Sequence, residues 1–168
     1  MTKQPDPDVR RIKLLVVDDE LDFLFTVSNR LLLRGFDVTT ASDGEVAVKA
    51  AKKGKFDLTL LDLKMPGMDG TEVLGILKKR HKFLEVVILT GHGSIDTAVE
   101  CTKLGAFDYL TKPCKLEDLL DVLKRAYETR LKKKFEHDQK RMEEIEVLSM
   151  GSPLSILRAL VHLDDDEK

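Results

Sequence analysis

The chain has 168 residues, enough for one full domain with an appendage and short for two. Its 42% apolar and 35% charged residues allow a packed core under a well-solvated surface, and a net charge of −2 excludes a global field that would draw it to nucleic acid or anionic membrane. No apolar run approaches bilayer length. Residues 1–11 are polar, contain Pro5 and Pro7 and lack the apolar centre of a signal peptide, so a flexible N-terminus and a cytoplasmic address are expected. Cys101 and Cys114 are too few and too far apart for a zinc ribbon or a C-x-x-C redox pair, and read as reduced thiols.

In chain order, short apolar runs alternate with amphipathic stretches. The first run, Ile12–Val17, leads into a helix over about Asp22–Leu33, with Phe23, Leu24, Val27 and Leu31 at helical spacing and Arg34-Gly35 as its stop. The second run is Phe36–Thr40, and a helix starts at Asp43-Gly44-Glu45. The third is Asp57–Leu61, before a helix over about Thr71–Arg80. The fourth is Glu85–Leu89, followed by a helix that Ser94 caps and Gly105 ends. The fifth is Phe107–Leu110, with a helix from about Leu116. Several runs are apolar on consecutive residues, as expected of strands covered on both faces. Five strands alternating with five helices predict an α/β fold with a parallel, doubly wound sheet. At this length the natural strand order is the flavodoxin-like 2-1-3-4-5.

Past Ala126 the pattern changes. Tyr127 to Leu148 is charge-rich, free of Gly and Pro, and continues the fifth helix. Leu131, Phe135, Met142 and Ile145 keep heptad spacing, with Asp138 at one intermediate position. Such a helix suits a solvated extension, a homodimeric coil or a partner-binding helix. Gly151, Ser152 and Pro153 then read as stop, cap and first turn of a short apolar helix from Leu154 to about Leu163, ahead of an acidic end. The expected organisation is a flexible 1–11, a domain over 12–127, a helical extension over 128–149, and a short apolar helix with an acidic tail over 150–168.

Ligands of open α/β sheets bind at the carboxyl ends of the strands, beside the point where strand order switches. Asp18-Asp19-Glu20 follows the first strand, Asp62 the third, Thr90 the fourth and Lys112-Pro113 the fifth. In the 2-1-3-4-5 order, Asp18, Asp19 and Asp62 converge, with Thr90 and Lys112 on the rim. Two like charges at about 4 Å cost about 4 kcal/mol at an effective dielectric near 20, so protons or a cation must compensate. Hard oxygen ligands with room for water suit Mg²⁺. One carboxylate can then act as a nucleophile and form an acyl phosphate. Mg²⁺, the lysine and a hydroxyl stabilise the charge on the transferred group.

Four segments carry a family resemblance: Val16-Val17-Asp18-Asp19-Glu20, Asp62 through Gly70, Thr90-Gly91-His92-Gly93, and Tyr109-Leu110-Thr111-Lys112-Pro113. Together they resemble CheY-like response-regulator receiver domains over about Ile12 to Tyr127. The resemblance implies Asp62 as phospho-acceptor and Mg²⁺ held by Asp19 and Asp62, by Asp18 through water, and by the Lys64 backbone carbonyl. It further implies Thr90 as switch hydroxyl, Lys112 as phosphate-binding lysine, Tyr109 as the aromatic that changes rotamer, and a cis Lys112–Pro113 bond. Lys64 and His92 resemble positions that tune phosphoryl lifetime, or are simply solvent-facing. The stretch from Thr90 to Pro113 looks most like receivers of NtrC-type, σ54-dependent activators, although no P-loop and no basic recognition helix appears.

The resulting expectation is a stand-alone response regulator, not an enzyme beyond its own phosphorylation and dephosphorylation. A histidine kinase or histidine phosphotransfer protein would phosphorylate it. Its output would run through a downstream protein, with neither DNA nor membrane as partner. A homodimer would form through the long C-terminal helix or through the face of the fourth helix, fifth strand and fifth helix. A phosphorelay intermediate or phosphate sink uses the same chemistry. An Asp-nucleophile phosphatase needs a second Asp two residues after the first, where this chain has Lys64.

Overall fold

The computed structural model describes residues 10–150. The expected helix at 154–163, the acidic tail and most of the flexible 1–11 lie outside the described residues. The elements are β1 (Lys13–Val17), α1 (Leu21–Leu33), β2 (Asp37–Ala41), α2 (Gly44–Lys53), β3 (Leu58–Leu61), α3 (Gly70–Arg80), β4 (Glu85–Thr90), α4 (Ile95–Lys103), β5 (Asp108–Thr111) and α5 (Leu116–Ser149). The chain divides into two units, residues 1–130 and 131–168.

All strand pairs are parallel, in the order β2-β1-β3-β4-β5. The five strands and five helices are those expected, with ends displaced by a residue or so. Phe36, for example, stays out of β2 because its N–H donates to the Leu31 carbonyl and closes the end of α1.

Strand alternation divides the core into two layers. Leu14, Val16, Leu58, Leu60, Val87 and Leu89 pack with Leu24, Val27 and Leu31 of α1 and with Leu119, Val122, Leu123 and Ala126 of α5. Leu15, Val17, Leu61, Val86 and Ile88 pack on the other face with α2, α3 and Cys101 of α4. β1, β3 and β4 are therefore buried on both sides, which is why their sequences are apolar without a polar alternate.

Local chemistry sets the helix starts. The Asp43 carboxylate accepts from the Val46 N–H over 2.8 Å and caps α2. Ser94 and Thr97 cap α4 reciprocally. Gly105, at φ +96°, carries the chain out of α4 through a left-handed turn that a residue with a Cβ adopts poorly.

A buried ion cluster sits at the amino ends of the strands. Asp57 is 2% exposed, and its Oδ1 receives Arg10 over 3.0 Å and Arg130 over 2.9 Å. Its Oδ2 accepts from the Lys13 N–H, and Arg130 also donates to the Phe83 carbonyl. The pair ties α5 at Arg130 to the start of β3. α5 continues as one helix to Ser149, and within 131–150 the side chains of Leu131, Phe135 and Met142 are exposed. Among the described residues no helix is long and apolar enough to cross a membrane.

Candidate functional site

The carboxyl ends of β1, β3, β4 and β5 bring Asp18, Asp62, Thr90 and Lys112 together. Parallel pairing of β1 with β3, Val17 opposite Leu61, puts the residues just beyond them, Asp18 and Asp62, side by side. The ladder continues past the strands, because the Asp62 N–H donates to the Val17 carbonyl. Asp18, Asp62 and Thr90 are all buried. Gly70 lets the start of α3 close over the loop after β3, where a Cβ would collide with the Asp62 carbonyl and the Leu63 backbone.

Lys112 is the fixed cation. Its Nζ lies 2.5 Å from Asp18 Oδ2, 3.5 Å from Glu20 and 3.8 Å from Asp62 Oδ2. It also stands over the Phe23 ring at 4.0 Å, a cation–π contact from α1. The Lys112–Pro113 bond is cis, as the resemblance implied. Asp62 Oδ1 accepts from the Leu63 N–H over 2.8 Å, and Asp18 Oδ1 from the Glu20 N–H over 2.9 Å. Thr90 Oγ1 accepts from the His92 N–H. Tyr109 lies on β5, half-buried against the α2–α4 side of the core. Lys64 follows Asp62 in the turn to α3, and its side chain is exposed, as is that of His92.

Among the described residues, Asp18, Glu20 and Asp62 each offer a carboxylate oxygen, and these oxygens lie within 4.8 Å of one another. Sequence reasoning put Asp19 in that cluster and passed over Glu20. A bend at Asp19, closed by the Glu20 N–H on Asp18 Oδ1, brings the Glu20 carboxylate back beside Asp18. Phe23, in the sequence, is one of the apolar positions at helical spacing in α1. Its role under Lys112 left no signal in the sequence.

The electrostatics of the site are unbalanced. Burial pushes the Asp18 carboxyl up. The Lys112 hydrogen bond and the Glu20 N–H oppose that rise, and the Asp62 charge adds to it. Burial alone would lower Lys112, but the Asp18 hydrogen bond and the charges of Asp18, Asp62 and Glu20 outweigh it and raise the ammonium. Three acidic side chains, Asp18, Glu20 and Asp62, thus surround a single ammonium. One ammonium does not neutralise three carboxylates. The donors are all hard oxygens, so a divalent cation such as Mg²⁺ fits the deficit. Burial raises both cysteines, Cys101 and Cys114, away from the reactive thiolate.

A five-stranded 2-1-3-4-5 sheet with paired acids, a hydroxyl and a lysine at its carboxyl edge defines a phosphoryl-receiver architecture. The profile of the response regulator receiver domain matches residues 14–124, and the chain belongs to that family. It is 37% identical over 113 residues to the response regulator protein FleR of Pseudomonas aeruginosa, covering 67% of this chain and 24% of FleR. It is 34% identical over 151 residues to the nitrogen assimilation regulatory protein NtrX of Azorhizobium caulinodans, covering 88% of this chain and 33% of NtrX. A CheY-like receiver domain structure from Methanospirillum hungatei superposes with a TM-score of 0.72 at 28% identity, covering 74% of this chain and 99% of that one. The chain spans about a quarter of the length of the curated relatives it matches first.

Proposed function

We propose that Asp62 is the phospho-acceptor of a two-component response regulator acting in the cytoplasm, with a histidine kinase or histidine phosphotransfer protein as donor. The observation that carries this is the convergence of Lys112 with the buried Asp62 and Thr90 at adjacent strand ends. Asp18, Asp19 and Asp62, with the Lys64 carbonyl, would hold Mg²⁺, and Glu20 adds a further oxygen beside them. The cation, when bound, supplies charge neutralisation for the transferred group.

The chain's own residues do the rest. The Leu63 N–H on Oδ1 orients the Asp62 carboxylate and leaves Oδ2, on the Lys112 side, as the attacking atom. Attack forms the Oδ2–phosphorus bond and breaks the donor's phosphorus–nitrogen bond, and the donor imidazole keeps the electron pair. Lys112 exchanges part of its contact with Asp18 for a phosphoryl oxygen, and the Thr90 hydroxyl donates to another. Catalysis is confined to the chain's own phosphorylation and dephosphorylation.

Phosphorylation replaces the single carboxylate charge of Asp62 with a phosphoryl charge of about −2, a net gain of about one negative charge, and biases a two-state surface over α4, β5 and α5. Moving a 1:99 population to 99:1 takes about 5.5 kcal/mol of differential stabilisation. The exposed Leu131, Phe135 and Met142 support pairing of two copies through the extension of α5 as one means of output. Relay of the phosphoryl group to a second histidine protein is the alternative output, recognised by rapid back-transfer.

Incubation with radiolabelled acetyl phosphate and Mg²⁺ tests the assignment. Asp62→Ala is expected to keep the fold and lose labelling altogether, and undiminished labelling refutes it.

A further inference from the structure

The first turn of α4 holds a hydrogen-bond circuit that phosphoryl chemistry does not use. The Ser94 N–H donates to Thr97 Oγ1 over 2.9 Å, and the Thr97 N–H donates to Ser94 Oγ over 3.2 Å. Thr97 Oγ1 also lies 2.9 Å from the Ser94 carbonyl oxygen, which can only accept, so the Thr97 hydroxyl proton goes there. Tyr109 Oη stands 3.2 Å from the same Thr97 Oγ1. With the Thr97 proton already committed, Tyr109 is the donor and Thr97 the acceptor. A threonine hydroxyl has one proton and two lone pairs, and the Ser94 N–H and Tyr109 O–H fill both. The 3.1 Å approach of the Ser94 and Thr97 hydroxyls therefore adds no further bond.

Gly93 makes room for this contact. It is exposed, yet a Cβ there would collide with Tyr109 Oη and lie 2.9 Å from two carbons of the ring. Tyr109 thus occupies a slot under the loop between β4 and α4 that only glycine at 93 leaves open.

We propose that Thr97 is a positioning residue for Tyr109, and that the Tyr109 rotamer and the capped first turn of α4 form a single latch, with Gly93 as its slot. Tyr109 cannot swing out without withdrawing a hydrogen bond from the hydroxyl that caps α4. A change of rotamer on β5 is thereby registered at the start of α4, next to the exposed Ile95 and Val99. The inference deepens the reading of Tyr109 as the aromatic that responds to phosphorylation, and it rests on that reading for its purpose but not for its geometry.

The test uses the full chain, which has two tyrosines, Tyr109 and Tyr127. Labelling with 3-fluorotyrosine gives two fluorine resonances, assigned with Tyr127→Phe. Thr97→Val is expected to shift the Tyr109 resonance, Thr97→Ser to restore it, and Gly93→Ala to shift it most. Hydrogen exchange is the second readout. Tyr109→Phe keeps the ring and is expected to speed exchange of the Thr97 and Ala98 amides by up to about tenfold, the scale of one net hydrogen bond. A ring that merely packs would leave those amides unchanged. An unmoved Tyr109 resonance in Thr97→Val, or unchanged exchange in Tyr109→Phe, overturns the latch. Beryllofluoride with Mg²⁺ separates the two claims: if both readouts show the latch but the Tyr109 resonance ignores beryllofluoride, the latch holds and the part of Tyr109 in phosphorylation falls.

Discussion

Asp18 and Lys112 share a short hydrogen bond, yet both are held toward their protonated forms. For Asp18 burial is the first cause, and its folded pKa lies above the ordinary 3.8. The folded state therefore binds this proton more tightly than the unfolded chain, and the associated stability is lost as pH rises through the folded pKa. At neutral pH without Mg²⁺, an ionised Asp18 costs stability. Asp18→Asn is expected to raise the Tm of the metal-free chain by about 3 °C, what roughly 1 kcal/mol gives at this size. The same variant should lose most of the stabilisation that added Mg²⁺ gives the parent. A thermal melt with and without Mg²⁺ checks both, and a lowered Tm would show that the Lys112 contact outweighs the repulsion.

The elements themselves were legible, because strands covered on both faces announce themselves as consecutive apolar residues between turn signals. The acceptor site was legible for a related reason: Asp18, Asp62, Thr90 and Lys112 each follow an apolar run, and topology brings strand ends together. What stayed hidden depends on contacts between residues far apart in the chain. Asp57 reads as a polar residue opening a strand, and nothing near it announces Arg130, 73 residues on. Removing Asp57 leaves Arg130 half-satisfied and the Lys13 N–H without its acceptor. Asp57→Ala is therefore expected to cost about 3 kcal/mol, seen in the urea midpoint, while labelling of Asp62 persists. α3 makes a similar point at its own end. His81 caps it, where the helix dipole would favour an imidazolium, but burial first and the Arg80 charge second lower its pKa from 6.5. The unfolded chain then binds the proton more readily, so stability falls as pH drops through about 6.5. In His81→Asn that dependence should flatten in denaturation curves taken across the same range.

For the molecule as a whole, the informative boundary is Arg130, the last residue of the first unit. A chain stopped after Arg130 keeps the Asp57 brace, whereas one stopped after Ala126 loses it. The first is expected to melt near the parent temperature and the second several degrees lower. Sedimentation should show the full chain associating through the 131–145 stripe and the Arg130-terminated chain as a monomer; a full chain that stays monomeric with beryllofluoride rules that pairing out. Strand β3 has a consequence of its own. It separates Asp62 at one pole from Asp57 at the other by five residues, about 16 Å of extended chain. Over that span one added unit charge is worth only about 1 kcal/mol at an effective dielectric near 20. That is a small part of the roughly 5.5 kcal/mol a decisive switch requires. β3 behaves as an electrical insulator between the two poles: the far pole must learn of phosphorylation by mechanical displacement, and charge substitutions at one pole can be made with little crosstalk at the other.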